Sequence, residues 1–178
     1  MNTSPDNQIA QLIANAIQRR MGMNPQDCFV AAAPDYDPKW GGDFIVEVVP
    51  GNWQPYGPGN GAQEGGALLR EQPFVLWCFY RAKLDQYSRS TMLLIEAERG
   101  ILDRFEVMRQ LFAMTQLPMV DTPTVDDFAL LEPIEWGGES KTEWEDPSLR
   151  VVRRSMTLIC RYGENLPGSA SIVPADYV

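Results

Sequence analysis

The chain has 178 residues, 44% hydrophobic and 22% charged, with a formal net charge of −9. This length and balance predict one globular domain with its own core, not a disordered chain. The acidity argues against a protein that grips nucleic acid by its phosphates, though not against a wall that nucleic acid slides past. Histidine is absent, which excludes Ser-His-Asp and Cys-His nucleophile systems and histidine-ligated metal sites within the chain.

The first predicted element is a helix. Ile9, Leu12, Ile13, Ala16, Ile17 and Arg20 recur at helical spacing, with Pro5 suited to the first turn, Ser4 or Asp6 as cap, and Gly22 and Pro25 as terminators. Asp43 to Val49 is β-branched and aromatic and reads as a strand ended by Pro50. The segment 50–66 holds six glycines and three prolines, too many for a helix or a central strand. It reads as a long hairpin whose tip projects from the body, in the length range where connections carry function.

Ala67 to Leu84 reads as a long strand. Phe74 to Tyr80 is apolar on both faces, and Pro73 marks a bulge or the start of pairing. Ser90 to Thr115 is the strongest helix, with Leu94, Ala97, Ile101, Phe105, Met108 and Phe112 in one stripe and Ser88 or Ser90 as cap. Gly100 in its middle marks close packing or a break. Phe128 to Trp136 reads as a strand interrupted by Pro133, and Gly137 to Pro147 as an acidic loop. Val151 to Tyr162 alternates, with Val152, Met156, Leu158, Cys160 and Tyr162 on the core face.

The fold class expected is therefore α+β: a single, mainly antiparallel sheet covered on one face by two helices, with a long projecting hairpin. Residues 1–162 form the domain, 50–66 the projecting loop and 163–178 an extended C-terminal arm. Cys28, Cys78 and Cys160 are odd in number and widely spaced, so they read as reduced thiols of a protein made in the cytoplasm, not as disulfides or a zinc site. No apolar run is long enough to predict a membrane span, and Met1 to Asp6 lacks the features of a signal peptide.

The candidate chemical motifs are weak. Gly57-Pro58-Gly59-Asn60-Gly61 lacks the Lys-Ser/Thr and the helix that a phosphate loop needs. Asp35-Tyr36-Asp37, flanked by prolines, reads as a polar turn, because two carboxylates are a poor cation site alone. Glu132, Glu135, Glu139, Glu143, Glu145 and Asp146 form an acidic group in which no spacing selects an acid–base pair. No cofactor, metal or catalytic residue is assigned, and the expectation is a non-enzyme.

Four of the five tryptophans lie in breaker-rich segments, where an aromatic either plugs its own core or anchors a partner. Trp53 and Tyr56 on the presumed hairpin are the best interface candidates. Arg153 and Arg154 fall on opposite faces of the last strand. A carboxylate of the long helix is one partner for Arg154, and an acidic neighbouring subunit is one for Arg153.

The order and texture of these segments resemble the tail terminator proteins of long-tailed bacteriophages. The resemblance rests on four features: the N-terminal helix ending near Met21-Gly22, the glycine-rich hairpin leading into Gly65-Gly66 to Tyr80, the central helix around Leu94 to Leu102, and the strand pair Leu131 to Trp136 and Val151 to Tyr162. Together they span most of residues 8–162.

The resemblance implies a small α+β subunit of a homo-hexameric ring in the virion. That ring ends the tail tube, stops its polymerisation and joins it to the head–tail connector protein. It further implies contacts with the tail tube protein, and passage of DNA without specific binding or any membrane. The interface candidates are then Trp53, Tyr56, Arg153, Ile172, Val173 and Tyr177, and the channel-lining candidates Glu139, Glu143, Glu145 and Asp146. Another connector, neck or tail protein, or a small carboxylate-dependent enzyme, are the alternatives.

Overall fold

Two strands of fifteen residues each dominate the architecture. In the computed structural model, which describes residues 4–57, 63–64, 67–82, 90–114, 128–130 and 133–165, β5 (Ala67–Arg81) and β9 (Val151–Asn165) pair antiparallel along their whole length. The other strands flank this pair. β2 (Phe44–Pro50), β3 (Gln54–Pro55) and β4 (Gln63–Glu64) follow one another along the free side of β5, and the short β1 (Cys28–Val30) pairs parallel with β2. On the outer side of β9 lie β6 (Phe128–Leu130), β7 (Glu135–Glu139) and β8 (Glu143–Asp146). The result is one open, mixed sheet, antiparallel except at β1.

Helix α1 (Pro5–Met21) and helix α2 (Ser90–Met114) both pack on the same face of this sheet. Ile9, Ala10, Ile13, Ala14 and Ile17 of α1 are fully buried there, as are Ala97, Ile101, Phe105 and Met108 of α2. They meet Val46, Val48, Phe74, Leu76, Cys78, Val152, Met156, Leu158, Cys160 and Tyr162 from alternate sheet positions. The α+β class with two helices on one face is thus as expected. Arg20, counted with the α1 stripe in the sequence, is exposed, and Ala10 and Ala14 complete the stripe instead. Gly22 closes α1 in the left-handed conformation at φ 64°, which glycine adopts without a Cβ penalty. Ser4 stands at the N-cap but makes no side-chain cap bond, and Pro5 occupies the first turn.

Two elements differ from expectation. The segment read as an acidic loop, 137–147, contains the end of β7 and all of β8, because the fifteen-residue β9 offers a ladder long enough to recruit it. The Gly137-Gly138 pair does not break the strand. Gly138, at φ 128°, takes up a bulge in the register between Trp136 and Gly138. β9 itself runs through Asn165, three residues into the segment read as an arm, while 166–178 lies outside the described residues.

The segment 50–66 is described only in part. Its described parts fold back along β5, with Gln54 opposite Glu71, Pro55 opposite Arg70 and Gln63 opposite Leu68. The expected hairpin tip, 58–62, lies outside the described residues. Pro73 causes no bulge in the β5–β9 ladder, where it sits opposite Ile159. Its carbonyl accepts the Gly51 N–H at 2.8 Å where β2 gives way to β3. The missing N–H faces the same side, where the Gly51 carbonyl accepts from Gln72 Nε2 at 2.7 Å instead.

Candidate interaction surfaces

The face of the sheet opposite the helices is only partly covered. At one end the loop 31–43 folds over it, stacking Tyr36 on Phe79 with ring centroids 5.3 Å apart and setting Trp40 edge-on to Phe29 at 5.4 Å. This makes a small second core around Ile45, Phe79 and Val151. The Asp35-Tyr36-Asp37 motif is part of that cover. Asp37 Oδ1 accepts the Lys39 N–H at 2.9 Å, as expected of a polar turn, and Asp35 donates its own N–H to Glu47 Oε2 at 3.0 Å.

Glu47 is the unforeseen residue of this region. It sits in β2 with 0% exposure, and its second oxygen has no partner among the described residues. Burial pushes its carboxyl above the ordinary value. The Asp35 N–H opposes this, while the Asp35 and Glu145 carboxylates add to it.

Beyond the loop, Val49, Val75, Thr157 and Ile159 remain half-buried, as does Trp77, which packs against the Ile45, Phe79 and Val151 cluster. Two charged rows bound this apolar stripe. At one end the Arg153 guanidinium donates to Glu145 Oε2 at 3.1 Å and Glu143 Oε2 at 3.2 Å, and lies 5.7 Å from the Trp77 ring centroid. At the other, Arg161 meets Glu71 at 2.7 Å and Glu135 at 2.8 Å, and Gln54 donates to Glu71 at 2.7 Å.

The residues singled out in the sequence fall around these rows. Arg153, Glu143 and Glu145 come together in one cluster of the same chain. Tyr56 lies under Arg161, 5.1 Å from its guanidinium, and Trp53 under Arg70 at 4.3 Å. Trp53 remains 40% exposed. Asp146 holds the β8–β9 turn: its Oδ1 accepts the Ser148 hydroxyl at 2.6 Å and the Ser148 and Leu149 N–H groups at 2.9 and 3.1 Å. These bonds, the Ser148 hydroxyl first, keep it below the usual carboxylate range. Ile172, Val173 and Tyr177 lie outside the described residues.

Glu139 is set apart from the other acids because it points to the helix face. Its carboxylate is shared by Arg154, at 2.9 Å, and Arg109 of α2, and it is only 11% exposed. Arg154 thus pairs with a strand carboxylate; its tie to the long helix runs through Glu139 to Arg109. It also donates to Thr142 Oγ1 at 3.1 Å. Arg109 further lines an apolar cleft of about 260 Å³ with Phe112, Ala113, Ile134, Trp136 and Leu158. Trp136 and Trp144 are strand residues packed against the main core, not loop anchors.

Among the described residues no helix is long and apolar enough to cross a membrane. No protein-family model matches the chain, and no curated protein matches its sequence.

Proposed function

We propose that the chain is a virion structural protein, a tail-terminator-like subunit. In this reading copies of it form a hexameric ring at the end of a tail tube, stop tube polymerisation and join the tail to the head connector. The observation that carries this reading is the architecture. A single open sheet has both helices on one face and leaves the other face half-covered, in the segment order that the resemblance implies. A sheet face left partly uncovered is suited to burial against a neighbouring protein of an assembly. The net charge of −9 supports a passage that DNA crosses without adhering.

Native mass spectrometry, followed by electron microscopy with purified tail tubes, tests this. The expected species is a closed ring of about 120 kDa, six copies of the 20.0 kDa chain, seated on tube ends. A strict monomer at high concentration, unchanged by tail tubes, sinks the reading.

A further inference from the structure

The edge strands β1, β7 and β8 are blunted against strand addition. β1 is three residues long, and Gln18 of α1 donates to its Cys28 carbonyl at 2.7 Å. The β7–β8 edge carries two register shifts and Glu135, Glu139, Glu143 and Glu145. Short strands, bulges and charges are the devices that keep sheet edges from pairing with another chain. The half-covered face offers a partner an apolar surface that does not depend on strand addition.

We propose that this face docks an amphipathic helix of a protein partner, laid along β5 and β9 with its apolar stripe on Val49, Val75, Trp77, Thr157 and Ile159 and with lysine or arginine near both its ends. The dimensions follow from the sheet. Arg153 and Arg161 are eight residues apart on β9, about 27 Å at strand rise, which a helix of about 18 residues spans. The three strands β2, β5 and β9 that carry the stripe are about 10 Å across between the outer two, the width of one helix.

The charge follows from the two rows. Each sets two carboxylates around one guanidinium: Glu143 and Glu145 around Arg153, Glu71 and Glu135 around Arg161. The side chains of Glu143 and Glu135 are 63% and 51% exposed, open to a second cation. A second copy laid face to face would bring these rows against their like, and a nucleic-acid backbone would be repelled in the same way. The inference does not need the ring reading, and ring mass does not report on it.

The test is a titration of the ¹⁵N-labelled full chain with two synthetic 20-residue helical peptides. Both carry one leucine stripe, one with lysine at its ends and one with glutamate. The lysine peptide is expected to shift the Trp77 indole and the Val75 and Thr157 amides, and the glutamate peptide is not. The pair E135Q and E143Q should weaken the lysine peptide about fivefold, and E98Q with D103N on α2 should leave it unchanged.

Equal binding of the glutamate peptide, shifts confined to other surfaces, no binding at millimolar peptide, or equal weakening by the α2 pair each overturns the proposal. Loss of self-association in Trp77→Ser would give the face to a second copy and overturn it as well. If that variant fails to fold, the peptide comparison and the glutamine pair still decide.

Discussion

The ring of Tyr80 occupies the space that a side chain at Gly100 would need: a Cβ there would stand 2.7 Å from Tyr80 Cζ and 2.8 Å from its hydroxyl oxygen. The strand and the long helix meet closely because position 100 is bare, and the Arg104 guanidinium, 4.4 Å from the ring centroid, holds the ring there. A mid-helix glycine costs roughly 1 kcal/mol relative to alanine, so Gly100→Ala gains that much from the helix. Overpacking against a held ring costs about 1–3 kcal/mol. Gly100→Ala should therefore lower stability by about 1 kcal/mol in urea unfolding. In a Tyr80→Ala background the same change should be stabilising. Additivity of the two substitutions would show that the contact does not set the helix position.

Glu47 makes a pH prediction with a definite sign. Its carboxyl is raised in the folded protein, chiefly by burial. Its contribution to stability is therefore fully present below the ordinary carboxylate value and is lost as pH rises through the folded value. Glu47→Gln keeps an acceptor for the Asp35 N–H and cannot ionise. The variant should melt above the parent at pH 7.5, and the gap should close as the pH falls toward about 4. A gap that widens on acidification would mean that the ionised form is the one the fold favours.

How much of this was legible in the sequence depends on the range of the interaction. The helix stripe Ala97, Ile101, Phe105, Met108 and Phe112 and the core face of β9 are written in local periodicity, and both stand as read. Gly100 was also legible as a close-packing position. β7 and β8 were not. Gly137-Gly138 and the four acids Glu139, Glu143, Glu145 and Asp146 look like a loop locally, and only the long β9 ladder makes strands there.

The ion pairs were hidden for the same reason. Arg109 and Glu139 are 30 residues apart, and Arg161 and Glu71 are 90 apart. Their meeting depends on a register that no local pattern encodes. Arg153 with Glu143 and Glu145, within one hairpin, was the one cluster that a strand reading of 143–146 would have found.

The thiols test the main core. Cys28, Cys78 and Cys160 are all buried and unpaired. Burial pushes Cys28 and Cys160 up to about 12, and raises Cys78 as well. Since the thiolate is the reactive form, the native protein should not react with a disulfide reagent over hours at pH 8, and all three thiols should titrate once guanidinium unfolds it. Rapid labelling of two or more thiols in the native state would contradict the packing of α1 and α2 on the sheet.

The shared carboxylate of Glu139 orders three substitutions. Arg154 has a side chain 15% exposed, while Arg109 is 40% exposed and has Glu106 as a second partner at 3.0 Å. Removing Glu139 by Glu139→Gln leaves the Arg154 guanidinium without its counter-charge in a nearly dry site, with Thr142 and the Phe105 ring, 5.4 Å away, beside it among the described residues. Breaking a fully buried pair costs about 3–5 kcal/mol. The partial exposure here reduces this to roughly 2–3 kcal/mol for Glu139→Gln. Arg154→Met leaves Glu139 with Arg109 and should cost less, about 1–2 kcal/mol. Arg109→Met, at the solvent edge, should cost under about 1 kcal/mol. Denaturant midpoints of the three variants give the order directly. If Arg109→Met proves the most damaging, the tie between α2 and β7 matters more to the fold than the buried Arg154 pair.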